Sequence, residues 1–464
     1  MKVTHVSICP SEAATNANTP ALTPELLAAT GARYSRNNEG LEAILSKIDP
    51  KNLEKSVDSI FKMVDYGHQS IADMVPVALF IDDISIWLAY YIWTLCPTAG
   101  GQESSTRYIK ISPEGLIPAD TLGIAERDLP EWRDLMDDCF SAYQASLALW
   151  EELAFEQPDL IGIPRSLLDD TSDSARKKVA RMKRNYAFDR ARYFLPVAAS
   201  TNVMLVMSAR GWVSLCQNLL SHPLPEPRLV GEAIRKNLEL SAPRMTRHAR
   251  KTPEWENAIR REFEKLIRAA CESARAPVSA EPRLQVESPQ GIAAREITQD
   301  LANHSNRYAP IGSSLHRTMV RFGWSGISFA EIRDLNRHRT GTKHCPLVPG
   351  NFYFALDQAP HESRPQQTEL ALRELAETGN RASRAALKRL QKGEASYVYW
   401  TLLGTEYPFE HVTTADKFIY ECELRTGLGA HFRYARHLRD VLALFYKHFP
   451  ETKGLILEGS AEPE

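Results

Sequence analysis

The order of elements repeats along this chain, and that repetition constrains the fold more than any single motif. Within 464 residues, two stretches run through one succession. An apolar helix leads to a polar turn, and an extended segment then reaches IPAD (117–120) or FALD (354–357). A long amphipathic helix follows, predicted over 132–155 and roughly 379–403. Next come a hydrophobic-Pro pair, FLP at 194–196 and EYP at 406–408, and a further helix over 201–220 and 414–432. The period is too long for a solenoid of short units, so it points to tandem duplication of a whole domain.

The least structured internal stretch, ARAPVSAEPRLQVESPQG at 274–291, reads as a linker because it has three Pro and few large apolar residues. It leaves a first domain over 1–273 and a second over 292–464. IPRSLLDDTSDSARKK (163–178) reads as a loop insertion, and the tail GLILEGSAEPE as a fraying end. With 25% charged residues and a net charge of −2, no global field demands nucleic acid or an anionic membrane. The N-terminus lacks a signal-peptide pattern. The greasiest segment, VPVALFIDDISIWLAYYIWTLC (75–96), is split by Asp82 and Asp83 into pieces too short to span a bilayer. It reads as a buried strand followed by a buried helix, with Ile84, Trp87, Leu88, Tyr91 and Leu95 at helical spacing. Seven scattered cysteines without a Cys-x-x-Cys pair argue against a disulfide framework or zinc site and fit a reducing, cytoplasmic setting.

Two polar constellations stand out. In LNRHRTGTKHCPLVPGNFYF (335–354), Arg337, His338 and Arg339 form a cationic or protonatable run just ahead of small residues. A solvated charged loop is one reading, since RHAR (247–250), RYAR (433–436) and RARYF (190–194) show that clustered arginine is common here. In GGQESSTRYIKI (100–111), an extended backbone puts Glu103, Ser105 and Arg107 on one face, with Ser104 and Thr106 on the other. An acid, a hydroxyl and a guanidinium on one edge suit a nucleotide: Arg for phosphate, Ser beside it, Glu for hydroxyls. The alternative is a solvent-facing edge strand.

Together these residues resemble the flavin-dependent thymidylate synthases, whose signature joins Arg-His-Arg to a nearby Glu-x-Ser-x-Arg-Tyr. Here the signature is divided. The first half keeps QESSTRY (102–108) but has WTL (93–95) in place of RHR; the second keeps RHRTGT (337–342) but has HCPLVPGNF (344–352) in place of the rest. The resemblance covers most of both halves. DYGHQSIAD (65–73) is similar to the family's Gly-His-x-Ser/Thr stretch, and TPELLAATGARYS (23–35) to its opening helix. RARYFLP (190–196) resembles the Ala-Arg-x-x-Leu-Pro turn, SARGW (208–212) the Asn-Ala-Arg-Ser helix, and ELRTGLGAHF (423–432) the stretch with the substrate-activating arginine.

The losses are complementary. The first half keeps Glu103, Ser105, Arg107 and Arg192 but has Leu219 for the activating arginine. The second keeps Arg337, His338, Arg339 and Arg425 but has Gly404 for the Ala-Arg arginine and YEC (420–422) for Asn-Ala-Arg. Family pockets are built from both sets, so one composite site per chain is expected. Arg333 and Arg337 lie four apart, where like charges cost about 0.2–0.5 kcal/mol on a helix. Arg107, Arg192 and Arg425 beside them would add repulsion unless phosphates fill the space.

The resemblance implies an α+β fold of two tandem domains, each a sheet packed with long helices, forming an internal pseudo-dimer that pairs as a homodimer (a pseudo-tetramer). It implies FAD-dependent reductive methylation of dUMP to dTMP, with methylenetetrahydrofolate as carbon donor and NADPH or NADH as reductant. By resemblance, Arg337, His338 and Arg339 grip the flavin, with Ser70, Arg210 and Ser314 as further contacts. Glu103, Ser104, Ser105, Thr106, Arg107, Arg192, Asp334 and Arg337 contact the nucleotide. Arg425 stabilises negative charge on the pyrimidine N3/O4 edge. Asp334 stands where the family has a neutral Gln, and Ser208 where it has Asn. An ionised Asp only accepts hydrogen bonds, which brings UMP or a cytidine nucleotide into consideration as substrate. A non-catalytic flavin- or nucleotide-binding regulator is the rival from another class.

Overall fold

The computed structural model describes residues 1–459 apart from 37, 39, 49–51, 66–68, 273–280, 289–291, 293, 360–364 and 428. The chain divides into two compact units that interleave along the sequence. The first comprises Met1–Ser105, Glu114–Leu129 and Ala198–Glu264; the second comprises Thr106–Pro113, Pro130–Val197 and Lys265–Glu464. The sequence reading draws a single cut at 274–291, whereas these units are assembled from several segments each.

The first unit holds an antiparallel sheet of β1 (Lys2–Val6), β2 (Pro76–Ser85), β3 (Gly100–Glu103) and β4 (Ser200–Ser208), in the order β1-β2-β4-β3. The second holds β5 (Pro282–Glu287), β6 (Met319–Ser328), β7 (Thr342–His344) and β8 (Glu406–Thr414), in the order β5-β6-β8-β7. The plan is the same down to its irregularities. The β2/β4 register slips between Ile81 and Ile84, and the β6/β8 register between Trp324 and Ile327. An extra residue in one strand increases local twist and bends it. β8 alternates buried and half-buried positions along its length, which fixes its register against the core.

Four strands run directly into helices, and side-chain oxygens make three of those junctions. Ser85 Oγ accepts from Leu88 N at 2.9 Å to start the helix Ile86–Leu95. Ser208 Oγ accepts from Gly211 N at 3.2 Å to start Ala209–Ser221. Ser328 and Glu331 form a reciprocal capping box for Phe329–Leu335. β8 passes at Thr414 into Ala415–Thr426. These caps satisfy amides that a helix start otherwise leaves unpaired.

Several expectations about elements are corrected. Residues 201–220 are not one helix, because alternating burial over 200–208 makes β4 before the helix begins at Ala209. The long second-half helix is Pro365–Gln391; Gly393 at φ +77 ends it, and Ala395–Trp400 is a tighter 3-10 turn. Within the supposed linker, Pro282–Glu287 forms β5, whose alternating Pro282, Leu284 and Val286 are the half-buried positions. Within 163–178, helices Arg165–Leu168 and Asp173–Ala191 appear. The tail is tied down through residue 459: Leu457 N donates to Glu423 at 2.8 Å and Gly459 N to Thr426 Oγ1 at 3.2 Å.

In the second unit the turn after helix 173–191 is laced to residues 401–404. Val197 N donates to Thr401 O, Leu403 N to Leu195 O and Gly404 N to Tyr193 O, at 3.1, 2.9 and 2.7 Å. Trp132 Nε1 donates to Tyr399 O at 3.0 Å within the same layer. This lacing fixes Arg192, at the end of its helix, within the unit that also carries residues 334–425.

Candidate functional site

Helix Ala415–Thr426 places Lys417, Tyr420 and Leu424 at i, i+3 and i+7, one face of a helix, with Arg425 beside them. Helix Phe329–Leu335 ends just before Arg337, His338 and Arg339. The chain then reverses into β7 at Gly341, whose φ is +71 and whose absent Cβ would collide with the Val412 carbonyl oxygen. Between these elements lies a cavity of about 310 Å³ lined by Arg337, His338, Arg339, Lys417, Tyr420 and Arg425, among others.

His338 is 8% exposed, not part of a solvated cationic run. Its Nε2 accepts from Arg425 Nε at 2.7 Å, which places the ring proton on Nδ1. Burial drives its pKa down to about 3, with Arg425 and His411 adding to the fall against the pull of Glu421. Arg337 and Arg339 therefore flank a neutral imidazole. Glu421, 1% exposed, lies 3.1 Å from His411 Nδ1, and His411 Nε2 is 2.8 Å from Thr340 O. Burial pushes the Glu421 carboxyl up, but His338, His411 and Lys343 outweigh it and hold the pKa at about 2.

Arg107 and Arg192 meet this cluster through two carboxylates. Arg107 makes a fork to Asp189, Nε to Oδ1 at 2.7 Å and Nη2 to Oδ2 at 2.9 Å, and also donates to Gly429 O at 3.2 Å. Arg192, with a side chain 2% exposed, donates from Nη2 to Asp334 Oδ2 at 2.9 Å. Burial opposes ionisation of Asp334, yet Arg192, Arg107, Arg337 and Arg425, in descending effect, hold its pKa at about 2. Part of the counter-charge that sequence reasoning assigned to ligand phosphates is thus supplied by the chain. Asp189 and Asp334 answer Arg107 and Arg192 by direct hydrogen bonds.

The structure brings Arg107, Arg192, Asp334, Arg337, His338, Arg339 and Arg425 together in the second unit. Thr106, 4% exposed, adjoins Arg107 in that unit. Glu103, Ser104 and Ser105 belong to the first unit. The one-face reading of Glu103, Ser105 and Arg107 is corrected, because β3 stops at Glu103 and the chain turns over 106–108. Ser70 and Arg210 also lie in the first unit: Ser70 is exposed at the start of a short helix, and Arg210 pairs with Asp73 at 2.8 Å. Ser314 is in the second unit, where its amide donates to Asp300 Oδ2 at 2.7 Å; it does not line the cavity. His68 falls outside the described residues.

Sequence reasoning missed Asp189, Glu421 and His411. The spacing of Asp189 three residues before Arg192 did not reveal its role, because its partner is Arg107. His411 and Glu421 had no readable signal, because a strand residue and a helix residue meet only through tertiary packing.

The family model described as thymidylate synthase complementing protein matches residues 19–244. The matched span includes Arg107, Asp189 and Arg192. A curated relative, UPF0159 protein Ta1429 of Thermoplasma acidophilum, is 22% identical over 475 residues, covering 92% of this chain and 93% of its own. That similarity therefore extends well beyond the family match and through the RHR and Arg425 region. The family supports a thymidylate synthase-like enzyme. Among the described residues, no helix is long and apolar enough to cross a membrane.

Proposed function

We propose that the chain catalyses FAD-dependent reductive methylation of a pyrimidine nucleotide, dUMP to dTMP, with methylenetetrahydrofolate and NADPH, at one composite site. One observation carries this reading: Arg107 and Arg192, from before residue 274, share the electrostatic environment of Asp334 with Arg337 and Arg425, from after residue 291. The complementary retention read by resemblance and the convergence of these arginines around Asp334 both support this reading.

The lining fits phosphate-bearing heterocycles. A cavity of about 310 Å³ is at the small end for a ligand pocket, suited to a nucleotide ring and phosphate rather than a whole dinucleotide. Its arginines offer planar forks to phosphate, and Tyr420 offers a ring face. Arg337 and Arg339 would hold a single phosphate-bearing portion of FAD, which would supply the hydride chemistry when bound. Arg425, fixed by His338, would face the N3/O4 edge of the pyrimidine and stabilise the negative charge that makes C5 nucleophilic. Arg107 and Arg192 stand behind, setting the potential of the cavity through their carboxylate partners. No protein nucleophile is needed, and the thiols of Cys139 and Cys216 are pushed well up by burial.

The Asp334 carboxylate favours a second reading, the same chemistry on UMP or a cytidine nucleotide. Tritium release from 5-labelled dUMP, dCMP and UMP decides among them. Release from dUMP that Arg425→Ala abolishes, with nucleotide binding partly retained, is the expected outcome. Bound flavin without release from any of the three removes the enzyme reading.

A further inference from the structure

We propose that Asp334 is a specificity-determining residue: its carboxylate occupies Arg192 where a ligand phosphate would otherwise sit, confining the ligand's negative charge to Arg337 and Arg425. The inference rests on reading this cluster as a nucleotide site and assigns the division of labour within it.

The geometry separates the arginines into two sets. Arg192 is buried at 2% side-chain exposure, and its Nη2 is committed to Asp334 Oδ2 at 2.9 Å. Its Nε has no hydrogen-bond partner among the described residues, so Asp334 alone answers the guanidinium through a side-chain hydrogen bond. Arg107 is forked onto Asp189. Arg337 is exposed, Arg425 is half-buried, and both line the cavity. A solvent-borne anion therefore meets Arg337 and Arg425 first, and it reaches Arg192 only by displacing an ionised carboxylate from a buried pair. Removing one partner of such a pair leaves the other charge buried and unanswered. Asp334→Asn should therefore create an anion site at Arg192 that the wild-type protein lacks.

The test is calorimetric titration of inorganic phosphate into the full chain, the Asp334→Asn variant and the Asp334→Asn/Arg192→Met double variant. The single variant should bind phosphate at least about tenfold more tightly than wild type, and the gain should vanish in the double variant. A smaller gain, or one that survives in the double variant, overturns the assignment. Should the single variant fold only when phosphate is present, that is the expected result in stronger form. Should it fold under neither condition, the apolar pair Asp334→Leu/Arg192→Met is read instead. A phosphate affinity reduced by about tenfold or more there would show that Arg192 grips ligand in the wild type, and the proposal falls; a smaller change supports it. Titrations with dUMP and FAD separate this from the nucleotide reading. A phosphate gain without either ligand binding removes the nucleotide site and leaves the Asp334 assignment standing.

Discussion

Arg425 Nε donates to His338 Nε2 across 2.7 Å, so the residue assigned to pyrimidine activation and a residue assigned to cofactor binding form one hydrogen-bonded unit. The bond needs a neutral imidazole, and burial of His338 supplies one by lowering its pKa to about 3. A guanidinium held at one nitrogen loses freedom to swing, and Arg425 lines the cavity. His338→Phe keeps a ring but removes the acceptor, which frees the Arg425 side chain to swing. Tritium release should fall by about 100-fold while nucleotide affinity changes far less, because misplacement of a stabilising group acts on the transition state. His338→Gln, which retains an acceptor, should recover part of the loss.

The carboxylates beneath the cavity predict a specific acid limit. Asp334 is held at about 2 against an ordinary 3.8, and Glu421 at about 2 against 4.5. A depressed folded-state pKa gives stability that is complete above the unfolded value and is lost as pH falls through the folded one. Asp334 should contribute about 2 kcal/mol near neutrality, and Glu421 adds stability of the same sign. The share of stability carried by these two carboxylates should therefore persist down to about pH 5 and be lost between about pH 4.5 and pH 2, read from urea midpoints of wild type against each carboxamide variant. Glu421→Gln should make that fall shallower; an unchanged slope would remove Glu421 from the account.

Glu406 has the opposite sign. It pairs with Arg433 Nη2 at 2.8 Å, yet burial outweighs that pairing and raises its pKa to about 7. A raised folded-state pKa favours folding most below the unfolded value, and the benefit disappears as pH rises through about 7. Glu406→Gln keeps an acceptor for Arg433 without a titrating proton. Relative to wild type it should gain about 2 kcal/mol between pH 5 and pH 8, read from paired urea midpoints at the two values.

Which parts of this molecule were legible in sequence follows from what each depends on. The buried strand and helix over 75–96 could be read because local hydrophobic spacing carries them, and they appear as β2 and Ile86–Leu95. Residues 201–220 misled because a strand whose cap is the first turn of a helix leaves no polar gap between them. The resemblance pointed to Arg107, Arg192, Arg337 and Arg425 as one group. It gave no hint that Asp189 and Asp334 would hold two of them, since acid–arginine pairing is decided by which segments of the unit meet. The neutral state of His338 likewise needs its burial to be known, and RHR alone reads as three charges.

Two positions explain why complementary losses cannot be undone by single substitutions. Leu219, where resemblance places an activating arginine in the first half, is fully buried, and the backbone of Gly231 lies so close that a Cβ there would sit 3.0 Å from Leu219 Cβ. Leu219→Arg would bury a guanidinium without a partner, at a cost of about 3–5 kcal/mol. Gly404, where resemblance places an arginine in the second half, is shut in by the Phe352 ring and the Tyr353 carbonyl oxygen, both of which would collide with a Cβ. Its amide also holds Tyr193 O at 2.7 Å, so the backbone has little freedom to retreat. Gly404→Ala should cost about 1–3 kcal/mol by overpacking, and Gly404→Arg should prevent stable folding. Thermal unfolding of the purified variants checks both. A Gly404→Arg protein with a wild-type melting temperature would show that this position still has room for a side chain, and the asymmetry between the two halves would then need another cause.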